Sequence, residues 1–157
     1  MTDIKDPENT LLMETTKGAV VIEMRPDLAP GHVTRIKELV RDGFYDGIVF
    51  HRVIDGFMAQ TGCPQGTGTG GSGQNLKAEF SAEKHVRGTV SMARAADPNS
   101  GDSQFFICFE ESPWLNGEYT VWGQVIDGME NVDSIKRGEP VSDPDQITSI
   151  KVAADTA

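Results

Sequence analysis

The stretch VFHRVIDGFMAQTG, residues 49–62, sets a guanidinium, Arg52, and an amide, Gln60, among the apolar side chains of Val49, Phe50, Val53, Ile54, Phe57 and Met58. An arginine is costly in a buried strand unless it is paired or faces a cleft. Its guanidinium stays protonated and carries five N–H donors. In a cleft it can hold the acceptor atoms of an otherwise apolar ligand; alternatively it bridges loop carbonyls. The turn at Asp55-Gly56 decides which groups lie beside it. A two-residue loop sets Arg52 opposite Ala59. A three-residue loop, Asp55-Gly56-Phe57, sets it opposite Gln60, with Ile54 opposite Met58. The second register gathers Phe50, Arg52, Ile54, Met58 and Gln60 on one surface, and a slip of one residue exchanges the faces. In SQFFICF (103–109) a period of two puts Gln104 with Phe106, and Phe105, Ile107 and Phe109 on the opposite face. Together these residues describe a groove with an apolar floor, one guanidinium and two amides. Such a groove suits an extended peptide and a small apolar ring.

Other chemistries find little support. Gly66, Gly68 and Gly71 satisfy G-x-G-x-x-G, a pattern that means a dinucleotide site only where it opens a helix. Here SGQNLKAEF follows, with no apolar helical face, and no Gly-Lys-Ser/Thr completes a phosphate loop. The reading is a surface loop with several positions at φ > 0. His32, His51 and His85 have no ligand spacing with one another or with Cys63 and Cys108, so neither metal nor cofactor is expected. Ser91 and Ser103 lack a nucleophile-elbow context. His51 is read as a structural histidine.

The bulk composition fits one globular domain. The 157 residues are 38% hydrophobic and 24% charged, with 14 Lys and Arg against 24 Asp and Glu for a net charge of −10. That balance argues against nucleic acid and anionic membrane as partners, which need a basic footprint. Two lone cysteines fit a reducing compartment. The opening MTDIKDPENT has no basic and apolar regions of a secretory signal, and no 18-residue apolar run is present. The expectation is a cytoplasmic, single-domain protein, with residues 1–9 flexible and residues 10–154 forming the domain.

The elements that must position the groove follow from periodicity. TLLMETTKGAVVIEMRPD reads as a hairpin around Lys17-Gly18. APGHVTRIKELVRDGFY reads as a helix that starts at Pro30, carries Val33, Ile36, Leu39 and Val40 on one face, and stops at Asp42-Gly43. Residues 46–61 form a second hairpin, and 88–95, 103–109, 119–126 and 147–153 read as strands. Residues 127–138 predict a second helix with an Asp127/Glu130 capping box and Met129, Val132 and Ile135 on one face. Seven or eight strands with two helices indicate a mainly β barrel or sandwich with helices at its ends.

The blocks FHRVIDGFMAQTG, GTGTGG, SMARA, NSGDSQFFI and PWLNGEYTVWGQVIDGM, in this order, resemble the signature blocks of cyclophilins, the cyclosporin-binding peptidyl-prolyl cis-trans isomerases, from about residue 10 to residue 152. The resemblance implies a closed eight-stranded antiparallel β-barrel capped by two helices. It implies Arg52 as the catalytic arginine and Phe57, Met58, Phe106 and Leu115 as the proline pocket. Gln60 and Gln104 would supply polar contacts, Ala93, Arg94 and Ala95 the segment that meets the peptide backbone, and Trp114 the residue associated with cyclosporin affinity. It favours the three-residue loop. Arg94 stands where many eukaryotic members have Asn, Tyr119 where they have His, and Glu118 where they often have Lys. MARA and the Glu-Tyr pair look bacterial. These departures bear on peptide preference and drug affinity. The implied function is X–Pro isomerisation without a covalent intermediate, metal or cofactor; the alternative is a non-catalytic proline-peptide-binding chaperone or adaptor. The implied partners are proline-containing peptides, client proteins and a cyclosporin-type cyclic peptide, and the implied state is a monomer.

Overall fold

The computed structural model describes residues 6–139 and 141–156. Of the segment 1–9 expected to be flexible, residues 1–5 lie outside the described residues. Pro7–Asn9 form one 3-10 turn, and its Glu8 meets Lys37 and Arg41 at 3.1 Å each.

Among the described residues eight strands form one antiparallel sheet: β1 (Thr10–Thr15), β2 (Gly18–Met24), β3 (Arg52–Ile54), β4 (Met58–Thr61), β5 (Thr89–Met92), β6 (Phe105–Cys108), β7 (Val121–Asp127) and β8 (Ile147–Val152). They lie in the order β3-β4-β6-β5-β7-β2-β1-β8. The helices are α1 (Pro30–Arg41) and α2 (Met129–Asp133).

The expected closed barrel is corrected to an open, curled half-barrel, because β3 and β8 do not pair. The irregular chain before β8 lies along the free edge instead. Val53 and Gly138 exchange backbone bonds of 2.8 Å, Val141 donates to the His51 carbonyl at 3.2 Å, and Phe50 to that of Asp145 at 2.8 Å. Pro144 has no N–H to give a ladder, and Asp143 sits at φ 52, so this segment cannot continue as a strand.

Local chemistry explains most element ends. In the first hairpin Thr15 faces Gly18, so the turn is Thr16-Lys17, one residue earlier than the expected Lys17-Gly18. The Thr15 hydroxyl accepts from the Lys17 N–H and donates to the Gly18 carbonyl. The α1 helix begins at Pro30, buries Val33, Ile36, Leu39 and Val40, and ends before Gly43 at φ +73, as expected. The α2 helix is shorter than expected, five residues long, and its N-cap residue makes no side-chain bond. Gly128 takes the N-cap position at φ +84, where a Cβ would overlap the Ala19 carbonyl. Close approach to β2 therefore sets this helix start, and tertiary packing replaces the local cap. Val132 and Ile135 still face inward.

The main core fills the concave side of the sheet. Tyr45, Phe105 and Trp122 meet edge to face there, with ring centres 5.6 and 5.4 Å apart. Phe50 is fully buried in this core. It therefore does not share a surface with Arg52 as expected: residues 49–51 lie outside β3, and strict alternation holds only from Arg52 onward. A second apolar cluster of Met58, Phe106, Cys108 and Leu115 lies on the other face of β4 and β6.

Three histidines tie stability to pH. His32, His51 and His85 are buried, and burial holds each imidazole below its ordinary range. Glu79 opposes the shift at His32, Asn116 opposes it at His85, and Arg52 adds to it at His51. Burial raises Glu79, but bonds from His32 and the N–H groups of Gly31 and His32 bring it below the usual carboxylate range. An unfolded histidine takes up a proton near pH ~6.5 that its folded counterpart refuses. Stability is therefore full above that pH and falls as the pH drops below it, with Glu79 adding a loss at lower pH. Thermal melts at fixed ionic strength should show a lower Tm at pH ~5.5 than at pH ~7.5, with about 2–4 °C lost per kcal/mol. An unchanged Tm would contradict this assignment.

Candidate active site

The β3–β4 hairpin turns through Asp55-Gly56-Phe57, with Gly56 at φ +72. Arg52 faces Gln60, Val53 faces Ala59 and Ile54 faces Met58. This is the three-residue register; the two-residue alternative does not occur. Next, β4 pairs with β6, setting Gln60 beside Phe106 and Met58 beside Cys108. One strip of convex surface thus carries Arg52, Gln60 and Phe106 side by side.

A continuous hydrogen-bonded chain runs along this strip. The Gln104 Nε2 donates to the carbonyls of Gly68 and Gly70 at 3.0 and 2.9 Å. Its Oε1 accepts from the Gln60 Nε2 at 3.0 Å, and the Gln60 Oε1 accepts from the Arg52 Nη1 at 3.1 Å. The Arg52 Nε donates to the Glu139 carboxylate at 2.5 Å. Both amides are oriented by what lies at the ends: two carbonyls demand an NH2 group at one end, and a guanidinium demands an oxygen at the other. Among the described residues, both Nη2 hydrogens and one Nη1 hydrogen of Arg52 have no protein partner.

Beside Arg52 opens a cavity of about 100 Å³ lined by Phe57, Met58, Phe106, Leu115 and Tyr119, with Gln60, Ala93 and Arg94 at its wall. Its floor is rigid. Phe106 stacks on His85 with ring centres 6.2 Å apart and takes the edge of Tyr119 at 5.7 Å. His85 is held in turn by Ser91 at 2.9 Å and Asn116 at 3.1 Å. Trp114 leans on Phe57 at 5.6 Å but is 64% exposed, at the edge of the cavity and not in it.

A second, more polar cavity of about 280 Å³ adjoins the first and includes Gln104, Ala93, Arg94, Ala95 and glycines 68, 70 and 71. Arg94 forms part of the wall between the two. Its guanidinium donates to the carbonyls of Glu118, Ala95 and Ala96 and lies over the Tyr119 ring at 4.6 Å. Every residue that the resemblance assigns to the groove lies in it or at its rim, with Ala95 and Gln104 in the polar cavity, whereas Phe50, placed on that surface by strand periodicity, is in the core. His51 is 7% exposed, and its Nδ1 has no partner among the described residues.

The glycine-rich loop opens no helix. It wraps the Cys63 sulfur, which accepts the N–H groups of Gly68 and Gly70 at 3.3 and 3.2 Å. Burial raises the Cys63 thiol, but the backbone N–H groups of Gly70, Thr67, Gly68 and Gln65 outweigh it and bring it to about 7. The loop thus presents carbonyls toward Gln104 and amides toward its own sulfur. Sequence reading missed this anchor, along with His85 and Glu139. None carries a recognised sequence pattern: the sulfur is wrapped by an irregular loop, His85 is placed by Phe106 and Asn116, and Glu139 meets a residue far away in the chain. Among the described residues no cluster of His, Cys, Asp and Glu is arranged to hold a metal, and no helix is long and apolar enough to cross a membrane.

Comparison with known proteins agrees with this geometry. The family model for cyclophilin-type peptidyl-prolyl cis-trans isomerases matches residues 10–153. A probable peptidyl-prolyl cis-trans isomerase of Brucella suis is 52% identical, covering 96% of this chain and 86% of its own. A peptidyl-prolyl cis-trans isomerase of Synechococcus elongatus is 44% identical, covering 93% of this chain and 97% of its own. The crystal structure of a cyclophilin from Hirschia baltica superimposes with a TM-score of 0.90 at 33% identity, over 97% of this chain and 76% of that one. A Cryptosporidium parvum cyclophilin-type isomerase, crystallised in the presence of the dipeptide Ala-Pro, gives a TM-score of 0.85 at 32% identity, over 91% of this chain and 98% of that one. With an oriented guanidinium beside an apolar cavity and this kinship along nearly the whole chain, the protein belongs to the cyclophilin family and is a peptidyl-prolyl cis-trans isomerase.

Proposed function

We propose that Arg52 is the catalytic residue and that Phe57, Met58, Phe106 and Leu115 grip the proline ring. Gln60, Gln104 and the 93–95 segment hold the peptide on the other side of the rotating bond, with Tyr119 and Trp114 flanking it. The observation that carries this reading is the Arg52 guanidinium, fixed along one edge by Gln60 and Glu139, with its remaining N–H groups unpaired among the described residues and beside the apolar cavity.

The reaction makes no covalent bond. An X–Pro bond turns slowly because its partial double bond gives a barrier of about 20 kcal/mol. At the transition state the amide is twisted, conjugation is lost and the proline nitrogen bears a lone pair. A donor aimed at that nitrogen stabilises the twisted form and neither planar form, which is differential binding. The Nη2 group of Arg52 is such a donor. An apolar cavity that excludes water also favours the less polar twisted amide. A gain of about 10⁵ in rate would need roughly 7 kcal/mol. A charge-assisted hydrogen bond together with alignment and desolvation can supply energy of that order.

Isomerisation of a short Ala-Pro peptide, followed by exchange NMR, tests this function. The expected result is exchange broadening at catalytic amounts of protein; saturable binding with no exchange would indicate an adaptor instead. Trp114, exposed against Phe57, supports a cyclosporin-type cyclic peptide as a further ligand. Unfolded client chains are the natural substrates of a groove that reads so few groups. Both thiols are free, which suits a reducing, cytoplasmic setting. Only Phe80, Val86 and Trp114 are large, apolar and exposed among the described residues, which supports a monomer.

A further inference from the structure

We infer that Glu139 is a positioning residue for isomerisation: its carboxylate holds the Nε edge of Arg52 so that the Nη2 edge points into the proline cavity. This rests on the reading of Arg52 as the catalytic group.

The starting point is how Glu139 comes to be there. Gly138 and Val53 exchange two backbone bonds of 2.8 Å, and the Val141 N–H reaches the His51 carbonyl at 3.2 Å. These bonds bracket Arg52 on β3 and Glu139 on the facing segment. The carboxylate is thus brought to the arginine by main-chain pairing on both sides. An exposed ion pair formed by two free side chains would be worth little.

The second point is direction. A guanidinium is planar, so two fixed contacts on different nitrogens define both its plane and its rotation. Glu139 takes the Nε hydrogen and Gln60 one Nη1 hydrogen. Gln60 is itself tied through Gln104 to the glycine loop. With Gln60 alone the plane could still swing about a single bond, and Glu139 removes that freedom.

The third point is location. Arg52 and Gln60 border two cavities, the apolar one and another of about 590 Å³ that also holds His51, Gly66, Thr67 and Gly68. Glu139 lines only the latter. It therefore stands behind the arginine, away from the proline, and acts on the reaction only through Arg52. Its side chain is 56% exposed, so its removal leaves no buried charge and should not unfold the protein.

The test is a double-mutant cycle on an Ala-Pro peptide, with turnover from exchange NMR and affinity from titration. E139A is expected to lower turnover by roughly five- to tenfold with peptide affinity changed less than about twofold, because misaimed groups cost rate before binding. E139Q keeps an oxygen for the Nε hydrogen and should recover to within about threefold of the parent. In the R52A background, E139A should have no further effect. Parent-like turnover in E139A, or an equal loss when E139A is added to R52A, would overturn the inference. Full activity in R52A alone would instead overturn the role given to Arg52, so the two failures are told apart.

Discussion

Arg52→Ala is expected to lower isomerase activity by more than about tenfold while leaving the fold intact, since a single removed charge-assisted contact to a transition state has about this weight. The fold should survive because Arg52 is 41% exposed and makes its two contacts at the surface. Gln60 would keep its bond to Gln104, and Glu139 would be left in solvent. The loss should fall mainly on turnover, because the donor is aimed at an atom whose lone pair exists only in the twisted state. Arg52→Lys keeps the charge but not the fork. It can satisfy Glu139 or the proline nitrogen, not both together with Gln60, and should lie between the parent and the alanine variant. Near-unchanged turnover of Arg52→Ala in exchange NMR or a protease-coupled assay would remove the arginine from the mechanism.

Phe106→Ala should act on binding. Phe106 is 5% exposed and is the floor of the apolar cavity, between His85 and Tyr119. Truncation merges the cavity with the space left behind, so the proline ring loses its largest contact. Affinity for an X–Pro peptide is expected to fall by more than about tenfold, which corresponds to about 1.4 kcal/mol. Stability also falls, toward the roughly 3–5 kcal/mol of a buried Phe→Ala change, eased because one side of the ring already faces an open cavity. Phe106→Leu keeps an apolar floor and should stay folded with intermediate affinity. Titration of each variant below its melting temperature checks the effect. Parent-like affinity in folded Phe106→Ala would place the proline elsewhere.

Much of this site was legible because it is built from strands. A period of two sends Phe105 and Ile107 to the core and Phe106 to the groove, and that rule needs no knowledge of neighbours. The Arg52–Gln60 pairing was narrower: the hairpin left two registers open, and a resemblance in the signature blocks pointed to the one that the backbone adopts. Phe50 shows where periodicity stops being a guide. It stands two residues before Arg52, yet it is in the core, because the chain there follows the segment before β8 and not a ladder. The second helix forms but is shorter than expected for a related reason: its expected cap was local, whereas its actual start is set by the approach of Gly128 to β2.

By itself the amino-acid sequence determined most strand faces, the first helix with its ends, a glycine loop that opens no helix and most of the residues that line the groove. Each follows from interactions within a few positions along the chain, or from signature blocks that carry them. The tertiary structure decided that the barrel stays open, that the glycine loop folds around a sulfur and turns its carbonyls to Gln104, and that Glu139 meets Arg52. The open barrel, the turning of the loop to Gln104 and the Glu139 contact depend on hydrogen bonds between segments far apart in the chain, such as the backbone bonds of Gly138 with Val53 and the bond from the Gln104 side chain to the Gly70 carbonyl. Such pairings are fixed only when the sheet has curled and brought the two edges together.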